Sequence, residues 1–284
     1  MNSSYEQKHP LYAASFTKRR KAMDLYEGGE RIEGNRAYLT RHTYESDKQY
    51  DIRASRATYR NFAAPIVDVF ASFINEGRPE RILPDALRPI EADADRYGIT
   101  ADAFFADVTR LAAAGGARFV IVDMEQKKGE TVAEDRASGR RMVPYFTSIS
   151  PDDVWDWGMD AKGLAWAVVH SEEMEHPAAF AAPLRYETLT VWTRDSWTRY
   201  RRPMKDKENT EYALSENGER RHGLGAVPLV PFLFEPISPM TGLPATDDVL
   251  SLILRIYRRD SELDKMLFDR AVPLLNVGGV SQEH

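Results

Sequence analysis

Asp152, Asp153 and Asp156 stand close enough in the sequence to do chemistry together. Carboxylate oxygens are the natural ligands of hard divalent cations, so this trio would suit a metal-dependent hydrolase. The residues around them favour a plainer use, because Ser150-Pro151-Asp152-Asp153 has the composition that ends a strand and caps a short helical turn. His170 and His176 match neither strand nor helix ligand spacing and read as solvated loop histidines. Gly223-Leu224-Gly225 is a fragment of a dinucleotide fingerprint with Pro228 in place of its third glycine, so it reads as a glycine hinge before a strand. The sequence contains no Gly-x-Ser-x-Gly elbow, no phosphate-binding P-loop and no His-Glu-x-x-His helix. No catalytic residue, metal ligand or cofactor is assigned on these grounds.

Trp155, Trp157, Trp166, Trp192 and Trp197 are concentrated in the middle of the chain. Stacking platforms for single-stranded nucleic acid use such residues together with a basic groove. Here Asp152, Asp153, Asp156 and Asp160 surround the first two, which favours core or interface packing. The net charge of −6 likewise argues against a protein that grips phosphates broadly. With 284 residues and 43% hydrophobic content, the chain can bury a core in one or two domains. The lack of cysteine removes disulfides and thiolate zinc sites, and it fits a reducing compartment. No signal-like start and no run approaching the ~18 apolar residues of a membrane span are present, so a soluble chain without a leader is expected.

These residues must be held by an α+β framework. Residues 1–50 are polar, with a loop-like Glu27-Gly28-Gly29-Glu30. Ser46 and Gln49 fit a capping box, and Phe62, Ile66, Val69, Phe70 and Phe73 continue at helical spacing, so the pattern predicts a helix over 47–76 kinked at Pro65. A second helix is expected over 100–114, from Thr100 to Gly115-Gly116, followed by a buried strand at 119–122. Residues 124–142 are charged and belong in solvent. Mainly antiparallel strands are expected between 117 and 234: 143–150, 164–169 after a turn at 160–163, 188–193 paired with 197–200, a hairpin at Asn217-Gly218, and an edge strand at 227–234 carrying Pro228 and Pro231. The last helix spans 247–271, capped by Thr246 and ended by Pro273. Its apolar stripe is Val249, Ile253, Ile256, Leu263 and Leu267, interrupted by Asp260. That carboxylate needs a basic partner, from the same domain or, in an oligomer, from Arg255 or Arg259 of a neighbouring copy.

Four stretches resemble a family of tailed-bacteriophage portal-like proteins. The first is Tyr38-Leu39-Thr40-Arg41-His42 with Glu45-Ser46-Asp47, Tyr50, Arg53, Arg56-Ala57 and Asn61-Phe62, with Thr40 in place of the family's proline. The second is Leu111 to Asp123, a helix-to-strand step. The third is Arg141-Met142-Val143-Pro144-Tyr145-Phe146 with Ile149-Ser150-Pro151-Asp152-Asp153-Val154-Trp155-Asp156-Trp157, where Met142-Val143 separates Arg141 from Pro144. The fourth is Val227-Pro228-Leu229-Val230-Pro231-Phe232 followed by the helix through Tyr257, Asp260 and Asp264 to Ala271-Val272-Pro273-Leu274-Leu275.

The resemblance implies a structural, non-enzymatic subunit of a homo-oligomeric ring, a dodecamer in that family. Such a ring sits at one capsid vertex and passes double-stranded DNA without sequence specificity. Its implied partners are the terminase large subunit, capsid proteins and head-tail adaptors, and its location is the virion, with assembly in the host cytoplasm. On that plan 1–46 is an N-terminal arm, 47–234 a wing-like α+β domain, and 235–284 a connector with a stem-like helix. Arg255, Arg258, Arg259, Asp260, Glu262 and Lys265 would then face neighbours or the channel, and the clip, second stem helix and crown would be expected beyond residue 284. Two other readings remain open: a metal-dependent hydrolase built on Asp152, Asp153 and Asp156, and a non-ring adaptor that binds a protein through the Trp-rich sheet.

Overall fold

A computed structural model describes residues 4–77, 79–125, 131–137, 139, 142–206 and 211–271. The chain is a mixed α+β protein in which every strand pairing is antiparallel. Among the described residues, one unit comprises 4–20 and 67–245, and a second comprises 21–66 and 246–271. The expected arm, wing and stem are continuous stretches, whereas each observed unit is assembled from two. Helices α1 (Pro10–Glu27), α2 (Asp47–Arg56), α3 (Ala63–Ile74), α4 (Pro89–Ala92) and α5 (Ala101–Gly115) precede the first strand, β1 (Ala117–Asp123). A short α6 (Val132–Ala137) separates β1 from β2 (Tyr145–Ile149). Then follow β3 (Val154–Asp160), β4 (Gly163–Glu175), β5 (Leu184–Thr193), β6 (Ser196–Pro203), β7 (Ala213–Arg221), β8 (Leu229–Leu233), β9 (Glu235–Ser238), β10 (Thr241–Leu243) and α7 (Leu250–Ala271).

The step from α5 into β1 organises the larger unit. Thr100 accepts a hydrogen bond from the Ala103 N–H at the start of α5, and Gly116 ends the helix with φ of 85°. The strand that follows is central in a three-stranded sheet of order β2-β1-β8. Successive side chains of a strand point to opposite faces. Ala117, Phe119 and Ile121 therefore enter one core with Trp155, Trp157, Leu189 and Trp192, while Val120 enters another with Phe104 and Val108. Strand β8 lies at the sheet edge, where Pro231 can be tolerated. Strands β3 to β7 form a five-stranded meander. Its registers place Trp157, Ala167, Trp192 and Trp197 in one row across four strands. Trp155, Trp157 and Trp192 are buried, so these indoles are packing residues.

Several expectations are corrected. The helix over 47–76 is two helices with a break at 57–62. Pro65 falls in the first turn of α3, where its missing N–H costs nothing, and Asn61 Oδ1 accepts from the Ala64 N–H. The polar N-terminus holds the 18-residue helix α1. Its polarity concealed it, because Arg19 and Asp24 are themselves buried. Strand β3 follows the turn at 151–153 and was not foreseen. Asn217-Gly218 makes no hairpin but lies inside β7, at a register shift opposite Arg199. The Thr246 hydroxyl caps nothing; it is buried with no partner among the described residues, and the Thr246 carbonyl accepts from Val249 and Leu250 instead. Part of the 124–142 excursion and the helix stop at Pro273 lie outside the described residues.

At Gly116 a Cβ would lie 2.5 Å from the Gly242 carbonyl oxygen, whereas at Gly98 (φ of 91°) it would meet nothing within 4 Å. Gly98→Ala is expected to cost only the left-handed backbone strain, about 1–2 kcal/mol. Gly116→Ala adds overpacking and should cost about 2–4 kcal/mol in urea unfolding. Equal costs would show that the Gly116–Gly242 approach does not constrain the fold.

Candidate functional site

The smaller unit contains the helix on which every sequence-expected site residue lies. Leu250, Ile253, Leu254 and Tyr257 of α7 pack with Ala22, Leu25, Ile32, Leu39, Tyr50, Tyr59 and Ala63. The buried stripe continues to Ser261, so it is rotated from the expected line of Val249, Ile253, Ile256, Leu263 and Leu267. Two polar groups explain the rotation. Tyr257 donates from its hydroxyl to the Ile32 carbonyl oxygen at 3.3 Å, and Ser261 accepts from Arg53 at 3.2 Å. Both bonds need these residues turned inward, and apolar periodicity does not register them.

At the centre is an ion pair between Glu45 and Arg53, each side chain only 2% exposed. Ser46 caps α2 with a complete capping box, which fixes Glu45 just ahead of the helix, and Arg53 reaches back from two turns along it. The Arg53 guanidinium grips the carboxylate with both prongs, Nε to Oε1 at 2.9 Å and Nη2 to Oε2 at 2.8 Å. Its other protons go to the Thr40 carbonyl at 2.9 Å and to Ser261 Oγ, and Lys265 Nζ stands 3.6 Å from Glu45. The hydrogen bonds from Arg53 hold the Glu45 carboxyl at about 2, against the opposing effect of burial. The same pairing raises the Arg53 pKa.

The six expected residues divide into two groups. Arg255 and Arg259 are exposed. Arg258 Nε donates to the Tyr38 carbonyl at 2.7 Å, Glu262 lies 3.4 Å from His42, and Lys265 joins the Glu45 pair. Asp260 finds its partner in Arg60 at 3.5 Å, within the same unit. Beyond Ser261, Leu263, Met266, Leu267 and Phe268 are 46–58% exposed, forming an apolar surface at the end of α7. The Arg56 guanidinium lies 3.7 Å from the centre of the Phe268 ring. The first and fourth stretches of the sequence resemblance thus meet side chain to side chain.

The other chemical candidates disperse. Asp152 accepts from Arg19 Nη2 at 2.7 Å and so anchors α1, while Asp156 accepts from the Trp157 N–H. Among the described residues, no three His, Asp or Glu side chains are grouped to hold a metal ion. His170 is not a solvated loop residue. It lies on β4, only 14% exposed and stacked on Trp155 with ring centres 4.4 Å apart, with Asp153 at 3.4 Å and Glu187 at 3.2 Å. Gly223 and Gly225 both take positive φ just before β8, as a glycine hinge requires. No helix among the described residues is long and apolar enough to cross a membrane. No family model matches the chain, and no curated protein matches it.

Removing one partner of a buried pair leaves an uncompensated charge, whereas replacing both can be nearly neutral. Arg53→Met is expected to destabilise by about 3–5 kcal/mol, and adding Glu45→Leu should restore most of that loss in chemical denaturation. An additive double mutant would remove the pair from its central role. The pH dependence follows from the depressed carboxyl. Its stabilisation is fully present above the ordinary value of 4.5 and is lost as pH falls through about 2. Thermal melts should therefore drop between those limits, and less steeply in the double mutant.

Proposed function

We propose that the chain is a structural subunit of a tailed-bacteriophage portal ring, without enzymatic activity. The observation that carries the reading is the apolar surface of Leu263, Met266, Leu267 and Phe268. It lies at the end of a helix whose first half packs Leu250, Ile253, Leu254 and Tyr257 inward, in a chain with 29% charged residues. Exposed apolar patches of this kind mark protein–protein contacts. In a ring, every joint pairs one surface of a subunit with a different surface of the next, so the patch would supply one side of each joint. The four-part sequence resemblance supports the same reading. So does the packing of its first and fourth stretches on each other, which gives their shared residues a structural reason.

Further support comes from charge. The basic side chains expected to face a channel are partly spent inside the unit, since Arg258 and Lys265 bond to Tyr38 and Glu45. A net charge of −6 suits a passage in which a phosphate backbone is not held. The partners in this reading are further copies of the chain, the terminase large subunit, capsid proteins, head-tail adaptors and double-stranded DNA in transit. The location is the virion, with assembly in the bacterial cytoplasm. Asp260 is not needed at a joint, because Arg60 satisfies it.

The test is assembly. Leu263→Glu with Leu267→Glu should leave the melting of the isolated chain within about 0.5 kcal/mol, because both residues are exposed. The same change should abolish the rings or higher oligomers formed by the unmodified chain, measured by light scattering and particle imaging. Normal rings from the double variant would overturn the assigned interface. A chain that remains monomeric at all concentrations, or that turns over substrate, would overturn the portal reading.

A further inference from the structure

The larger unit contains a cleft of about 710 Å³, within the range that holds a small-molecule ligand. It opens where the aromatic row across the five-stranded sheet runs out of core. Trp192 is buried, Trp197 beside it is half-buried, and Arg220 lies opposite Trp197 on the last strand. Two guanidiniums lie over the Trp197 ring, Arg199 at 5.1 Å and Arg220 at 5.5 Å from its centre. Arg199 is paired through Nη1 with Glu173, but its Nε is buried with no partner among the described residues. Arg220 and Arg221 have no described carboxylate within ion-pair distance, although most arginines of this sheet do. His222 is occupied: its Nδ1 accepts from the Leu224 N–H, so its Nε2 donates to the Thr193 carbonyl. It braces the wall and leaves the binding to arginine.

The opposite wall has the reverse character. Asp123 and Glu125 line it, held by the Tyr145 hydroxyl at 2.9 Å and by Arg96 at 2.8 Å. Each carboxylate retains lone pairs that can accept from a hydroxyl or amine. An anion would be repelled there and drawn to the arginine wall. Converging guanidiniums suit an oxyanion of more than one charge, and a phosphate ester carries about −1.5 to −2 at neutral pH. We propose that this cleft binds a phosphate ester that also bears hydroxyl groups, of nucleotide size, with the phosphate on the Arg220 and Arg199 guanidiniums that lie over Trp197 and the hydroxyls toward Asp123 and Glu125. The ligand is either a free nucleotide or a residue of a nucleic-acid strand, which share this chemistry. The proposal is independent of the portal reading.

Calorimetric titration of the full chain with adenosine monophosphate, inorganic phosphate and a short single-stranded oligonucleotide tests it. Adenosine monophosphate should bind more tightly than inorganic phosphate. Arg220→Gln should weaken it roughly tenfold to a hundredfold while the melting temperature is kept, whereas Arg221→Gln, on the opposite face of the strand, should change it little. Arg185→Gln, on the same sheet but paired with Glu172, should change nothing. Oligonucleotide binding tighter than the mononucleotide, with the same sensitivity to Arg220, would identify a strand as the source. The reverse order would identify the free nucleotide. No binding at millimolar ligand, or binding that Arg220→Gln leaves unchanged, overturns the site. Inorganic phosphate binding as tightly as adenosine monophosphate overturns the role of the acidic wall.

Discussion

Glu45 and Arg53 are almost completely withdrawn from water, and neither could be there without the other. Desolvating a lone carboxylate or guanidinium costs several kcal/mol, so the pair is stable only as a bidentate, fully hydrogen-bonded arrangement. That requirement propagates. The guanidinium has protons left after gripping Glu45, and they fix the Thr40 carbonyl and Ser261. Fixing Ser261 sets the rotation of α7 about its own axis. The rotation in turn buries Leu250, Leu254 and Tyr257 and leaves Leu263 and Leu267 outside. One ionic contact thus decides which face of the last helix remains available, and the proposed assembly surface depends on it.

Elements announced by local chemistry were legible in the sequence. The capping box at Ser46, the Thr100 cap and Gly116 stop of α5, the 160–163 turn and the pairing of β5 with β6 each have a cause within a few residues. What was not legible depends on distant partners. Helix α1 carries Arg19 and Asp24 inward because Asp152, far along the chain, and Tyr38 receive them. The face of α7 was misjudged because a serine and a tyrosine occupy it for the sake of their hydrogen bonds. The six expected residues lie on a helix that the sequence announces, yet Arg60, Glu45 and Arg53, which engage that helix, give no signal in its own pattern. His170 was misread because a strand histidine and a loop histidine have the same spacing until the sheet is known.

The same distinction applies to charge. On the five-stranded sheet, Glu172, Glu173, Glu175 and Glu187 meet Arg185, Arg199, Arg201 and Arg202. Such neighbours neutralise one another locally, so the arginine count says little about the field that a polyanion would meet. On this sheet most of the described arginines are taken up by such pairs. A site for an anion then requires a place where the cross-strand pairing fails.

Strand β7 supplies such a place, and the cause is geometric. Tyr200 faces Leu214, so an unbroken ladder would bring residue 217 opposite Trp197. The observed partner of Trp197 is Arg220, three residues further on, because the stretch around Gly218 bulges out of register. Gly218 permits this: a Cβ there would lie 2.6 Å from the Arg199 carbonyl oxygen and 2.7 Å from that of Ser215. Bulges commonly re-aim side chains at functional sites. Here the bulge sets Arg220 opposite a tryptophan and Arg221 opposite a serine, where no acid stands across the strand to neutralise them. The Asn-Gly pair that looked like a hairpin is therefore better understood as the device that sets Arg220 opposite Trp197 beside a cleft, with no carboxylate in ion-pair distance among the described residues.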